Sequence, residues 1–304
     1  MISSHETFNG TFPFTPRFST APGFQMHYVD EGTGTPILCL HGEPTWGYLF
    51  REVIPVLAQQ HRVVVPDHMG FGKSETPQNR EYTLKAHIDN LETLVVDLDL
   101  RDITLVMHDF GGPVGAGLTM RHPDRIARLV VTNAFVPFGL PLEQELLPLN
   151  IAEAEWFQWI IKSYKDGSFE PVLGNLNYNI LSTMKLNGFE RLSRVDTTWI
   201  QAYGSPFTTP QECLGAIGWA RGIAEGTLAF ETANDHAVAA ILSKPALLIE
   251  GMKDPTLLPK YFIPLFEAAF PDGIVHRLEN VGHYCYEDAS EIIAPLIDQF
   301  VQLT

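Results

Sequence analysis

An aspartate stands at the apex of a predicted strand–turn–helix, and this feature limits both the fold and the chemistry open to the chain. The apolar run Ile103–His108 is typical of a short buried strand, and Gly111–Arg121 reads as a helix. Between them Asp109-Phe110-Gly111-Gly112 predicts a sharp turn. A turn of this kind presents the Asp109 side chain, placed at its apex, as a nucleophile.

The identity of the nucleophile decides the chemistry. A serine in this place would cleave esters, and a carboxylate that attacks a carbonyl would give an anhydride. A carboxylate that displaces a leaving group from an sp³ carbon gives an alkyl ester, which is stable enough to form and labile enough to hydrolyse. Asp109 therefore favours carbon–halogen or epoxide substrates over esters and amides.

Short β-rich runs alternate with helical stretches along the chain, and the middle runs are apolar throughout. Such runs are typical of strands covered on both faces by helices. With the turn at Asp109 they predict the α/β-hydrolase fold, a mostly parallel, doubly wound sheet with catalytic groups at the carboxyl ends of strands. The predicted strands are Phe24–Val29, Pro36–Leu40, Arg62–Pro66, Ile103–His108, Leu129–Asn133, Pro245–Glu250 and Ile274–Leu278.

The alternation stops between residues 136 and 227. This stretch is rich in Trp, Tyr and Leu, has no comparable buried strand run, and is punctuated by prolines at its start and glycines at its end. We expect a helical cap at 136–227, inserted after the sixth of the strands usual in this fold. The core is then formed by residues 1–135 and 228–304.

Two further residues complete a predicted catalytic triad with Asp109. Asp254 follows the strand Pro245–Glu250, and His283 follows the last strand run in Val281-Gly282-His283. The order nucleophile, acid, histidine is that of α/β-hydrolases, and the histidine needs a carboxylate that fixes its tautomer. The other strand end where such an acid could stand carries Asn133, which offers no carboxylate.

A loop after another strand predicts the oxyanion hole. His41-Gly42-Glu43-Pro44 follows Pro36–Leu40, and in this fold that loop aims a backbone N–H at the reacting centre, while the residue after the nucleophile supplies a second. We assign these donors to the N–H groups of Glu43 and Phe110. His41 is expected to buttress the loop.

Charge and composition exclude several classes of function. Twenty Lys and Arg against thirty-six Asp and Glu give a net charge of −16, which disfavours nucleic acid and anionic membrane surfaces. We see no apolar run long enough for a membrane span and no secretory signal, and the three dispersed cysteines suit a reducing compartment, so a cytoplasmic location is expected. No HExxH, Cys-His cluster or GxGxxG is present, and neither metal nor organic cofactor is expected.

Along nearly its full length the chain resembles the haloalkane dehalogenase family, which has the α/β-hydrolase fold and an aspartate nucleophile. Beyond the elbow at Asp109, the resemblance rests on Met26-His27-Tyr28-Val29-Asp30-Glu31-Gly32, His41-Gly42-Glu43-Pro44-Thr45-Trp46, Asp67-His68-Met69-Gly70-Phe71-Gly72-Lys73-Ser74, Gly251-Met252-Lys253-Asp254, Gly282-His283 and, in the cap, Ala202-Tyr203-Gly204-Ser205-Pro206-Phe207.

The chain departs from this family where the leaving group would bind. The family usually carries tryptophan after the nucleophile, and its indole N–H holds the halide; here Phe110 has no donor. A second donor is an asparagine where this chain has Glu43, but another branch has glutamate there and takes its second tryptophan from the cap. Trp156 and Trp159, with Phe110, are therefore the candidates for the leaving-group pocket.

The resemblance implies hydrolysis of small apolar haloalkanes to alcohol and halide. An epoxide hydrolase or a β-lactone-processing enzyme would use the same triad. Similar epoxide hydrolases have Asn-Trp-Tyr-Arg near the end of the cap where this chain has Gly218-Trp219-Ala220-Arg221, so its proton donor would be Tyr164, Tyr178 or Tyr203. A ligand sensor or a repurposed oxygenase is a further alternative, but a sensor needs no positioned base.

Overall fold

Eight strands form one sheet in the computed structural model, which describes residues 2–228 and 235–304. Their order across the sheet is β1-β2-β4-β3-β5-β6-β7-β8. β2 pairs antiparallel with β1 and with β4, and all other pairs are parallel. The strands are β1 Arg17–Ser19, β2 Met26–Glu31, β3 Pro36–Leu40, β4 Arg62–Pro66, β5 Ile103–His108, β6 Ile126–Thr132, β7 Ala246–Gly251 and β8 Ile274–Leu278.

Helices cover both faces of this sheet, which is why its central strands are apolar throughout. Every residue of β5 and β7 is buried. Successive side chains of β7 enter opposite layers, since Leu247 and Ile249 pack in one hydrophobic cluster and Leu248 in the other. The α/β-hydrolase fold class predicted from the sequence is confirmed.

Twelve α-helices lie within the described residues. Residues from α1 and α12 pack in one cluster with one face of the sheet, and residues from α2, α3 and α11 pack in the other. The helices are α1 Ile54–Leu57, α2 Leu84–Asp97, α3 Gly111–Arg121, α4 Pro141–Glu153, α5 Glu155–Asp166, α6 Phe169–Leu173, α7 Leu176–Asn187, α8 Thr197–Gly204, α9 Leu214–Glu225, α10 Asp235–Leu242, α11 Pro259–Ala269 and α12 Cys285–Leu303. None of the helices in the described ranges is long and apolar enough to cross a membrane.

Four predicted strands and the helix after Asp109 have the predicted bounds: β3, β4, β5, β8 and α3. Three other predicted strands are present with shifted bounds: Phe24–Val29 corresponds to β2, Leu129–Asn133 to β6 and Pro245–Glu250 to β7. Strand β1 was missed. It is a three-residue edge strand whose first two side chains are exposed, so it has no apolar run that a sequence would reveal.

Between β6 and β7 the described chain forms helices and no strand, from α4 through α10. This interval follows the sixth strand, where the cap was predicted. The boundaries of the cap at 136–227 stay a prediction, and residues 229–234 of the second predicted core segment lie outside the described residues.

A buried ion pair of the core is bonded to a tyrosine of this helical region. Glu287 in α12 is fully buried and accepts hydrogen bonds from both terminal nitrogens of Arg51, with 2.9 Å between Arg51 Nη2 and Glu287 Oε2. Tyr203, at the end of α8, donates its hydroxyl to Glu287 Oε1 at 2.5 Å. Burial opposes the charge on Arg51, but Glu287 outweighs this effect and raises the pKa of the guanidinium.

Removing one partner of this pair should cost much of the stability. Arg51→Met leaves Glu287 buried without its cation, and the free energy of unfolding should fall by about 3–5 kcal/mol. Urea unfolding measures this change. Lys85→Met is the matched control, since Lys85 pairs with Asp89 on the exposed face of α2, where an ion pair contributes about 0–1 kcal/mol. Equal effects of the two substitutions would contradict the prediction.

Candidate active site

The turn between β5 and α3 holds Asp109 in a left-handed backbone conformation, with φ of 48°. Glycines make room for it. A Cβ on Gly42 would stand 2.1 Å from Asp109 Oδ1, and one on Gly111 would stand 2.4 Å from the carbonyl oxygen of Leu40. Such a backbone at the carboxyl end of a central strand is costly for a residue other than glycine, and it presents the side chain outside the sheet. The predicted elbow is therefore present.

Three residues predicted as the triad come together at this end of the sheet. His283 Nδ1 lies 2.8 Å from Asp254 Oδ2, and His283 Nε2 lies 3.3 Å from Asp109 Oδ2. Burial opposes the charge on His283, but Asp254 and Asp109 outweigh it and raise its pKa to about 10. Burial likewise opposes the charge on Asp109, but His283 outweighs it and lowers the pKa of that carboxyl. Both shifts favour an imidazolium beside a carboxylate in the resting pair.

Asp254 is held by a set of hydrogen bonds that includes a residue the sequence reasoning had set aside. Its Oδ1 accepts from the backbone N–H groups of Thr256 at 2.7 Å and Leu257 at 2.9 Å. Asn133 Nδ2 donates to its Oδ2 at 2.9 Å, and Asn133 Oδ1 accepts from the N–H of Gly251 at 3.0 Å. Asn133 directly follows β6 and donates to the acid, a role visible in sequence only as an amide after a strand.

The two N–H groups assigned to the oxyanion hole meet the Asp109 carboxylate. Glu43 donates its backbone N–H to Asp109 Oδ1 at 2.6 Å. The backbone N–H of Phe110 also bonds to this carboxylate. Burial raises the pKa of Asp109, and the Phe110 N–H helps His283 and His108 to lower it. These donors would face the ester carbonyl oxygen once Asp109 had been alkylated.

Buried side chains support the loop that carries Glu43. Tyr284 donates its hydroxyl to the Glu43 carbonyl oxygen at 3.0 Å. His41 has the expected buttressing contacts: its Nδ1 lies 3.0 Å from the carbonyl oxygen of Gly42, and its Nε2 accepts from the N–H of His68 at 3.0 Å. Tyr284 was not singled out from the sequence, since nothing in the local pattern reports a contact with residue 43.

An apolar cavity of about 210 Å³ opens beside Asp109. Among the residues that line it, only three have polar side chains: Glu43, Asp109 and Asn150. The amide of Asn150 is already bonded to the backbone of Thr256 and Leu258. The lining residues are Glu43, Asp109, Phe110, Pro113, Phe135, Leu147, Asn150, Ile151, Trp156, Phe157, Gly222, Ile223, Gly226, Leu228, Leu257 and Phe262.

The predicted leaving-group candidates are placed differently. Trp156 and Phe110 line the cavity, and Trp156 is the one aromatic lining residue of the described chain that carries an N–H. Trp159, the third candidate, does not line the cavity of the described chain. Its ring stacks on Trp156, with 5.1 Å between centroids, and on Phe169, at 6.5 Å.

None of the three tyrosines considered as epoxide proton donors lines the cavity of the described chain. Tyr203 is buried against Glu287, Tyr164 bonds to Glu225, and Tyr178 is 86% exposed.

The side chain of Glu43 is buried without a hydrogen-bond partner in the described chain. Burial and the neighbouring Asp109 charge raise the pKa of Glu43 well above its ordinary value. This shift disfavours a charged Glu43 beside the Asp109 carboxylate, whose own pKa is lowered. Behind the cavity wall the Phe110 ring stacks on Trp219, with centroids 4.5 Å apart.

The described residues hold no cluster of three or more His, Cys, Asp or Glu side chains arranged for a metal ion. The thiols of Cys39, Cys213 and Cys285 are buried and free. That no cofactor is needed stays a prediction from the sequence.

Comparison with known proteins places the chain among relatives of two activities. A family model of the alpha/beta hydrolase fold matches residues 35–290. A cis-3-alkyl-4-alkyloxetan-2-one decarboxylase of Shewanella oneidensis is 31% identical, over 96% of this chain and 90% of the relative. A haloalkane dehalogenase of Mycobacterium marinum is 42% identical, over 94% of this chain and 93% of the relative.

Among solved structures, the tetrameric haloalkane dehalogenase DpaA from Paraglaciecola agarilytica NO2 superposes with a TM-score of 0.70 at 28% identity, over 95% of this chain and 92% of that one. The chain therefore belongs to the α/β-hydrolase fold family, in the group that includes the haloalkane dehalogenases and the oxetanone decarboxylases.

Proposed function

We propose that this enzyme hydrolyses small apolar haloalkanes to an alcohol and a halide. The observation that carries the proposal is an ionised carboxylate, Asp109, at the wall of an apolar cavity, with His283 and Asp254 aligned behind it. An apolar cavity suits a neutral organic substrate. The haloalkane dehalogenases among the relatives support the same reaction.

In the first step the Asp109 carboxylate attacks the carbon that bears the halogen. A carbon–oxygen bond forms, the carbon–halogen bond breaks, and the halide leaves with the electron pair. The indole N–H of Trp156 is the donor available to the halide from the aromatic wall. The side chain of Phe110, where the family usually has tryptophan, contributes shape alone, so a single indole donor would take the place of the usual two.

In the second step water cleaves the alkyl ester. Esterification removes the Asp109 charge, so His283 loses one of the two carboxylates that raise its pKa. The imidazolium then releases its proton to solvent, and the neutral imidazole can accept another. His283 then deprotonates a water molecule that attacks the ester carbonyl, and Asp254 stabilises the imidazolium. The N–H groups of Glu43 and Phe110 stabilise the tetrahedral oxyanion. The products are alcohol, halide and a proton.

Release of halide from a panel of 1-chloro-, 1-bromo- and 1-iodoalkanes tests the proposal. We expect free halide and protons in equal amounts from the wild-type protein, and neither from Asp109→Asn, which serves as the blank. Halide release of equal rate in the blank would show that Asp109 is not the nucleophile. No release from any substrate would reject dehalogenation.

Processing of β-lactones is the second candidate, because oxetanone decarboxylases cover 96% of the chain at 30% and 31% identity. The same carboxylate can open a strained ring, and loss of carbon dioxide from a β-lactone leaves an alkene. Incubation with a cis-3,4-dialkyl oxetan-2-one, with carbon dioxide and alkene measured together, separates this activity from dehalogenation. Equal amounts of the two products, without halide release in the alkane panel, would favour it.

A further inference from the structure

One carboxylate outside the triad joins the loop that carries the histidine to a loop of the helical region between β6 and β7. Asp288 lies in the first turn of α12 and is buried. Its Oδ2 accepts from the backbone N–H of Gly282 at 2.8 Å, and its Oδ1 accepts from the backbone N–H of Arg191 at 2.7 Å. The N–H of Glu190 reaches both oxygens, at 2.8 and 3.0 Å.

The two loops also contact each other directly. Tyr284 donates its backbone N–H to the carbonyl oxygen of Gly188 at 3.1 Å. A Cβ on Gly282 would stand 2.8 Å from that same oxygen, so the backbones are packed too closely to admit a side chain there. Displacement of the 188–191 loop would therefore move the loop of residues 281–284.

His283 follows Gly282, and its backbone is fixed from two sides. His108, at the end of the strand that leads to Asp109, places its Nε2 2.9 Å from the His283 carbonyl oxygen. Asp288 fixes the preceding peptide through Gly282. One anchor comes from the nucleophile strand and the other from the contact with the 188–191 loop.

We propose that Asp288 is a positioning residue that holds His283 in register with Asp109 by tying the histidine loop to the 188–191 loop. This proposal rests on the proposed function, because the kinetic effect of Asp288 is expected on ester hydrolysis, the step that uses His283. Attack by Asp109 on the substrate does not use the imidazole as a base, so that step is largely spared.

Replacing Asp288 by asparagine tests whether its hydrogen bonds to Gly282 and Arg191 are both needed. An amide has one acceptor oxygen, and its NH₂ group cannot accept from a backbone N–H. Asp288→Asn can therefore serve Gly282 or Arg191 but not both, at nearly unchanged size. Glu291→Gln is the matched control, since Glu291 lies on the same helix and bonds to the Arg191 side chain on the exposed surface, without contact to Gly282.

Rapid quenching followed by intact-protein mass measurement, with 1-bromobutane as the probe, resolves formation of the alkyl-enzyme from its decay. In Asp288→Asn we expect decay to slow about 10–10²-fold and formation to change less than about twofold, because a misplacement of about 1 Å has this cost in a positioned step. The ester should accumulate. Both steps should match the wild type in Glu291→Gln.

The NMR resonance of the proton between His283 Nδ1 and Asp254 Oδ2 supplies a readout that needs no substrate. It should shift in Asp288→Asn and stay in place in Glu291→Gln. Asp288→Glu keeps the charge and both oxygens, and should slow decay less than Asp288→Asn does. It also replaces that variant if the asparagine protein does not fold.

Equal slowing of both steps in a folded variant, or slowing of neither, would overturn the proposal. If no haloalkane alkylates even the wild-type protein, the proposed function fails, and the NMR resonance alone decides. A shifted resonance then supports the positioning role of Asp288, and an unchanged one overturns it.

Discussion

Asp109→Asn is expected to lower haloalkane turnover by about 10⁴–10⁶-fold, the scale on which loss of a catalytic nucleophile acts. A neutral amide cannot displace a halide, while its shape still fits between the Glu43 and Phe110 N–H groups. Substrate binding should therefore persist. Bromide release measures the rate, and quenching of tryptophan fluorescence by substrate measures binding.

The control for this substitution is Asp272→Asn, which makes the same chemical change at an exposed position. It should retain wild-type turnover. If Asp109→Asn released bromide at a rate much closer to that of the wild type than this expected loss, the attack on the substrate would have to be assigned to another group.

His283→Phe is expected to stop the reaction after one turnover. Asp109 remains available, so the alkyl ester forms, but no base is left to activate water for its cleavage. We expect a burst of about one halide per enzyme molecule and a protein mass raised by one alkyl group, on the peptide that contains Asp109. Intact mass and peptide mapping detect both.

The exposed His5 offers the control, since His5→Phe makes the same replacement at a position outside the triad and should turn over freely. Sustained multiple turnover by His283→Phe would reject the two-step mechanism. Loss of the burst itself would instead show that the imidazolium is needed for alkylation.

The part of the site that could be predicted from sequence is the part formed by residues that are close together in the chain. The strand Ile103–His108, the turn at Asp109 and the helix Gly111–Arg121 are continuous in the chain, and their bounds agree with the structure. Asp254 and His283 follow strands whose carboxyl ends share one edge of a parallel sheet, so the fold class already brings them near the nucleophile.

The residues that sequence reasoning missed act through contacts between distant segments. Asn133 was set aside because it has no carboxylate, although its amide donates to the carboxylate of Asp254, 121 positions away. Asp288 bonds to backbone groups 98 positions earlier, and backbone groups leave no signature in side-chain pattern. Spacing on α5 likewise does not tell that Trp156 lines the cavity while Trp159 packs behind it.

Both donors proposed for the oxyanion hole belong to the main chain, at Glu43 and Phe110. Replacing either side chain leaves those N–H groups in place. Alanine substitutions at these positions therefore measure the effect of changing the cavity wall and do not remove the oxyanion donors. Exchanges of the side chains at positions 43 and 110 are therefore expected to change how a leaving group is bound, while the two main-chain donors stay in place as long as the backbone path is kept.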